Sequence, residues 1–136
     1  MSNITQVVNV DKNMTTLKRG VIASGLNKIL SGTGPFTVFA PTDLAFGKLE
    51  TGVVDNLLKP ENKAKLVEVL NSHVVSGKFN IKDLKDGEKL KTVNGKELHV
   101  LVTDGDISIQ GAKIQNGDLQ TSNGVIHSLD TVMMKN

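Results

Sequence analysis

"GPFTVFAPTDLAFGKL", Gly34–Leu49, carries a short alternating apolar run into a proline and then straight into a helix start. Phe36, Val38 and Ala40 recur at period two, which suits a strand, and Pro41 closes it because proline has no N–H to give a ladder. Thr42 or Asp43 then offers a side-chain oxygen to the free amides of a first helical turn, with Phe46 and Leu49 facing inward. The junction reads as a structural corner. A catalytic elbow would need Gly-x-Ser-x-Gly, and neither that motif nor an equivalent occurs.

Upstream of the corner the period is helical. Asn3 caps a turn carrying Ile4, Val7 and Val8, and Met14, Leu17 and Val21 define a second helix that Gly25 or Gly32 ends. Downstream, "VVDNLLK" is stopped by Pro60, and "NKAKLVEVLNSHVV" sets Leu66, Val69, Leu70, His73 and Val74 on one helical face. From residue 77 the period changes to two. Asn94-Gly95 separates two alternating runs, as a two-residue type I′ hairpin would, and Asp104-Gly105 repeats the signal. The last run, "GVIHSLDTVMM", predicts a strand with Val125, His127, Leu129, Thr131 and Met133 on one face and Ile126, Ser128, Asp130, Val132 and Met134 on the other. Helices in the first half and strands in the second make the chain α+β.

A length of 136 residues suits a single domain spanning 1–136 with one self-sufficient core. Sixteen Lys and Arg face fourteen Asp and Glu, and the densest basic run, Lys78 to Lys91, is interleaved with Asp83, Asp86 and Glu88. With no Trp or Tyr and four Phe there are few platforms for stacking bases, so nucleic acid is not an expected partner. No cysteine is present, which removes disulfides and thiolate chemistry and leaves the compartment open. The N-terminus lacks the order of a signal peptide, and no apolar run approaches the ~20 residues of a membrane span, so no direct membrane insertion is expected.

The chemistry-bearing residues are few. His73, His99 and His127 show no helical or hairpin ligand spacing, so neither a metal nor another cofactor is expected. His73 reads as a buried, hydrogen-bonded histidine. His127 and Asp130 fall on opposite faces of the last strand and read as hydrogen-bond anchors to neighbouring loops. "DGDISIQGAKIQ" places Asp104, Asp106 and Ser108 at alternate positions, yet Ile109 and Gln115 stand where a calcium loop needs glycine and glutamate. Two glycan acceptor sequons begin at Asn3 and Asn13 and matter only in a eukaryotic secretory route.

Three segments stand in order: "FTVFAPTDLAF" at 36–46, "LNSHVVSGKF" at 70–79 and "SNGVIHSLDTVM" at 122–133. Together they resemble the fasciclin-like domain family over nearly the whole chain. The resemblance implies a compact α+β fold, a β-sandwich or wedge of mostly antiparallel strands flanked by several short helices. It also implies a non-catalytic adhesion or matrix-binding module, secreted, periplasmic or on the cell surface, and often one of several repeats. Its expected partner is a cell-surface or matrix protein, or a polysaccharide, met by a monomer.

Residue by residue, Thr42, Asp43 and Phe46 match the first motif, and Asn123, Gly124, His127 and Asp130 match the last. The central motif of many members is Tyr-His, where this chain has Ser72-His73; the Asp-Ile pair before the last motif is matched by Asp118-Leu119. The resemblance therefore puts binding at Asp118, Leu119 and His73. The family's terminal Leu-x-Pro is absent after Met133. Two readings stand beside adhesion: a hydrolase using His127 and a carboxylate, and a structural spacer without a ligand of its own.

Overall fold

The computed structural model describes residues 3–32, 34–49, 52–93 and 95–132. Three helices open the chain: α1 (Ile4–Val10), α2 (Thr15–Ser24) and α3 (Leu26–Leu30). The Asn3 side chain accepts from Gln6 N while the Gln6 side chain returns to Asn3 N, a reciprocal cap. Gly25, at φ 80°, ends α2 in the left-handed conformation that suits glycine. Strand β1 (Phe36–Pro41) leads into α4 (Asp43–Gly47), followed by α5 (Val53–Leu57), a 3-10 turn at Pro60–Asn62, and α6 (Lys63–Asn71). Thr42 caps α4, its hydroxyl accepting from Ala45 N at 3.3 Å.

Then come β2 (Val74–Ser76), a 3-10 turn at Ile81–Asp83, β3 (Lys89–Lys91), β4 (Glu97–Thr103), β5 (Asp106–Ile109), β6 (Ala112–Thr121) and β7 (Gly124–Leu129). They form one seven-stranded sheet in the order β2-β1-β7-β6-β5-β4-β3. Among the described residues only the β1–β7 pair is parallel. A bridge between Val75 and Thr92 joins the two edges, so the sheet curls into a near-closed barrel rather than splitting into two sheets.

Curling gives the central strands two buried faces. Val38, Ala40, Val74 and Ile126 pack outward against Leu17, Val21, Leu66 and Leu70 of the helices. Phe39, Val75 and Leu129 point inward to Leu90, Leu98, Val100 and Ile109 of the barrel interior. Every residue of β7 is therefore buried, polar Ser128 and His127 included.

Three sequence expectations are corrected. Helix α6 ends at Asn71, so His73 lies in the following turn and Val74 begins a strand. The His73 ring nevertheless closes the helix, with Nδ1 2.8 Å from the Val69 carbonyl, a last-turn acceptor that Ser72 N also reaches at 3.2 Å. The last strand stops at Leu129, because Asp130 turns back to Lys113; Met133 and Met134 lie outside the described residues. At the β3–β4 hairpin Thr92 N donates to Lys96 O at 2.7 Å, so Val93 to Gly95 span the turn instead of two residues alone. Gly95 has φ 89°, and Asn94 lies outside the described residues. Asp104-Gly105 does make the expected two-residue turn, both residues having positive φ between paired Thr103 and Asp106.

Candidate functional site

The β6–β7 ladder is regular at its turn and broken in its middle. Ile114 pairs Leu129, Asn116 pairs Ser128 and Leu119 pairs Ile126, so β6 advances five residues while β7 advances three. The two extra residues are bulges, which break the ladder and re-aim side chains. Ser128 fills the first gap: its hydroxyl accepts from Asn116 N at 3.0 Å and donates to Asn116 O at 3.2 Å. Asp118 sits in the second bulge at φ 59°, a conformation that Asp tolerates better than most residues. Gly117 precedes it because a Cβ there would overlap the Ile81 side chain. The signal was present in the sequence: "QNGD" interrupts the alternation between Ile114 and Leu119.

His127 holds the second bulge from below. Its ring is fully buried and stacked on Phe39, with centroids 5.7 Å apart. Asp118 N donates to Nδ1 at 3.0 Å, and Nε2 lies 2.7 Å from the Phe79 carbonyl. Those partners require the neutral tautomer with the proton on Nε2. Burial pushes the imidazole below its ordinary range, against the opposing pulls of the Phe79 carbonyl and the Asp118 charge. The Asp118 carboxylate completes the junction by accepting from Ile81 N at 2.7 Å, and Gln120 Nε2 donates to Asn80 Oδ1 at 2.8 Å. With both nitrogens engaged by backbone, His127 presents no free nitrogen to a substrate.

The other motif residues also bind their own chain. Asn123 is buried: its Oδ1 accepts from Ile4 N at 3.0 Å, and its Nδ2 donates to Leu30 O at 2.6 Å and Gly32 O at 2.9 Å. One amide thus ties α1 and the end of α3 to the β6–β7 turn. Gly124 lies so close to β1 that any Cβ would overlap the Phe36 carbonyl. Asp130 accepts from Lys113 N at 3.0 Å. Asp43 is not the α4 cap but caps α2 from a distance, taking Thr15 Oγ1 and Thr16 N at 2.7 Å each. Burial would raise its pKa, yet these hydrogen bonds prevail and lower it. Phe46 is half-buried against the helical core. His73 is fully enclosed, and burial pushes its imidazole down to about 4.

Of the three residues expected to bind, His73 is sealed beneath the surface while Asp118 and Leu119 are exposed, Leu119 at 42%. Leu119 borders a cavity of about 90 Å³ that sequence reasoning missed, lined by Asp11, Asn13, Met14, Thr42, Asn116, Ile126 and Ser128 besides. Four segments meet there: the turn between α1 and α2, the corner after β1, the bulged strand β6, and β7. No local motif could have announced it. Among the described residues no three His, Asp or Glu side chains converge as a metal-ligand set, and no helix is long and apolar enough to cross a membrane.

The sequence profile of the Fasciclin domain matches residues 12–135. Protein sll1483 of Synechocystis is 42% identical over 131 residues, covering 96% of this chain and 72% of that protein. The cell surface glycolipoprotein MPB83 of Mycobacterium bovis is 34% identical over 102 residues, covering 74% of this chain and 44% of that protein. Among solved structures, a domain pair from the insect cell adhesion molecule Fasciclin I superposes with a TM-score of 0.88 at 20% identity, over 98% of this chain and 51% of that one.

Proposed function

The chain belongs to the fasciclin domain family, and from that premise we propose that it is a non-catalytic adhesion module whose contact surface is the bulged segment at Asp118–Leu119. Its partner is a cell-surface or matrix protein, and it works outside the cytoplasm, secreted, periplasmic or displayed on the cell. Cell-surface residence is in the name of one relative and cell adhesion in that of the structural neighbour. The observation that carries the assignment is a contrast in exposure. Asn123, His127 and His73 are buried and bonded to backbone, whereas Leu119 stands 42% exposed beside a cavity. An exposed apolar side chain next to a fixed carboxylate can anchor and orient a partner. A single such contact is weak, and display in several copies would multiply it.

The test is retention of the purified chain on immobilised collagen, fibronectin, laminin, heparin and alginate, with albumin as the blank. Adhesion predicts saturable retention on at least one surface and its loss in Leu119→Ala. Retention on none, or undiminished retention in Leu119→Ala on every surface that holds the wild type, overturns the assignment.

A further inference from the structure

The cavity beside Leu119 has a mixed lining, part apolar and part polar. Met14, Leu119 and Ile126 are its apolar members, and Asp11, Asn13, Thr42, Asn116 and Ser128 its polar ones; Met14, Ile126, Thr42 and Ser128 are buried, while Leu119 stands exposed at its edge. Among the described residues Asp11 is the only charged one in the lining, and no lysine or arginine shares it. One Asp11 oxygen is spent on Asn13 N at 2.8 Å, which fixes the carboxylate in place. A volume of about 90 Å³ is smaller than the roughly 150 Å³ of an apolar cavity that takes up benzene, so it suits one inserted side chain rather than a larger ligand.

The surroundings suit an extended segment more than a free small molecule. Val10, exposed at 79%, precedes the lining residue Asp11, and Leu44, exposed at 80%, lies two residues after the lining residue Thr42. They are the two most exposed large hydrophobics among the described residues, so apolar surface close in sequence to the lining stands open to a partner. Sites of this composition bind by burying an apolar stem and fixing its polar end with a few placed groups.

We propose that this cavity receives a lysine or arginine side chain carried on an extended partner segment with aliphatic neighbours. The methylenes lie on Met14, Leu119 and Ile126, the cationic head meets Asp11 with Asn13 and Asn116 beside it, and the neighbouring aliphatics rest on Val10 and Leu44. Long basic side chains bury their stems while keeping the charge at a polar rim, and a charge-assisted hydrogen bond to Asp11 selects against acidic residues. The proposal rests on the reading of Leu119 as a contact residue and names the chemistry it contacts.

The test titrates the full chain, by amide chemical shifts, with three doubly capped pentapeptides: Thr-Ile-Lys-Val-Thr, its norleucine isostere and its glutamate counterpart. The expected result is saturable shifts at Asp11 to Met14, Asn116 and Leu119 with the lysine peptide, weaker shifts with norleucine, and none with glutamate. Asp11→Asn, which keeps an oxygen for Asn13 N, should weaken the lysine peptide about tenfold and leave norleucine and the melting temperature unchanged. Equal response to lysine and glutamate, or no response at the cavity, overturns the proposal. If the wild type is retained on a matrix surface through Leu119 while the lysine peptide fails, the cavity assignment falls and the adhesive reading stands. If the lysine peptide binds at the cavity while no surface retains the chain, the adhesive reading falls and the cavity assignment stands.

Discussion

The two ends of one hairpin have opposite characters. At its turn, Asn123 spends its amide on Ile4, Leu30 and Gly32, and Gly124 lets β1 approach closer than any side chain would allow. A few residues back along β6, Asn116 to Leu119 leave the regular ladder, and Leu119 stands in solvent over a cavity. The first region uses polar side chains to close the fold. The second uses the same residue types, through Ser128, His127 and Asp118, to hold a strand open. A polar residue in a recognisable motif is thus no guide to its role until its partners are known, and here the motif residues chiefly bind backbone.

This contrast is easiest to break at the closed end. Gly124→Ala forces a Cβ into the Phe36 carbonyl and should cost about 4 kcal/mol or prevent folding, as overpacking against backbone does. A melting temperature within a few degrees of wild type would show that the β1–β7 approach is not tight. Asn123→Ala leaves a buried amide and two carbonyls without partners and should cost about 3 kcal/mol, read from urea midpoints at unchanged m. A loss under about 1 kcal/mol would mean that α1 is not anchored through this side chain.

Acid sharpens the comparison through the two buried histidines. Both have folded pKa values below the unfolded value of about 6.5, so the unfolded chain binds their protons first. Their contribution to stability is whole above pH 6.5 and falls as the pH drops, levelling for His73 near pH 4. With His73 at about 4, that one group forfeits on the order of 3 kcal/mol across the window. Asp43, held below its ordinary value, adds a further loss only below about pH 4. Thermal melts between pH 7 and 4 check this, and His73→Gln should flatten the slope. A flat profile in the wild type would contradict the buried neutral assignments.

Asp118→Ala frees Ile81 N at a solvent-exposed position, so the expected cost is about 1 kcal/mol. Hydrogen exchange should rise at Ile81 and at Asp118 before anywhere in the barrel. This residue both holds its loop and faces solvent, so it separates folding from contact less cleanly than its neighbour does.

Much of the fold was legible because local chemistry and global structure agree. The strand-proline-cap-helix corner, the Asn3 and Gly25 helix boundaries and the Asp104-Gly105 turn all follow from backbone preferences acting over a few residues. The central strands were less legible: alternation implies one wet face, but parallel pairing of β1 with β7 puts helices on one side and the barrel interior on the other. His73 misled for a related reason, since its spacing continues the apolar face of α6 although the chain has already turned. Motif positions were found by resemblance, but their partners lie up to 119 residues away, as Asn123 and Ile4 do. The cavity is assembled by tertiary structure alone, and nothing near Asp11 or Leu119 in the sequence marks it.

The most direct test of the divided hairpin is Leu119→Ala, measured for melting temperature and for retention on whichever matrix surface holds the wild type. At 42% exposure its truncation should change stability by no more than about 0.5 kcal/mol, while retention falls at least tenfold. A variant that melts like wild type and is retained like wild type would place the contact surface elsewhere and contradict the account.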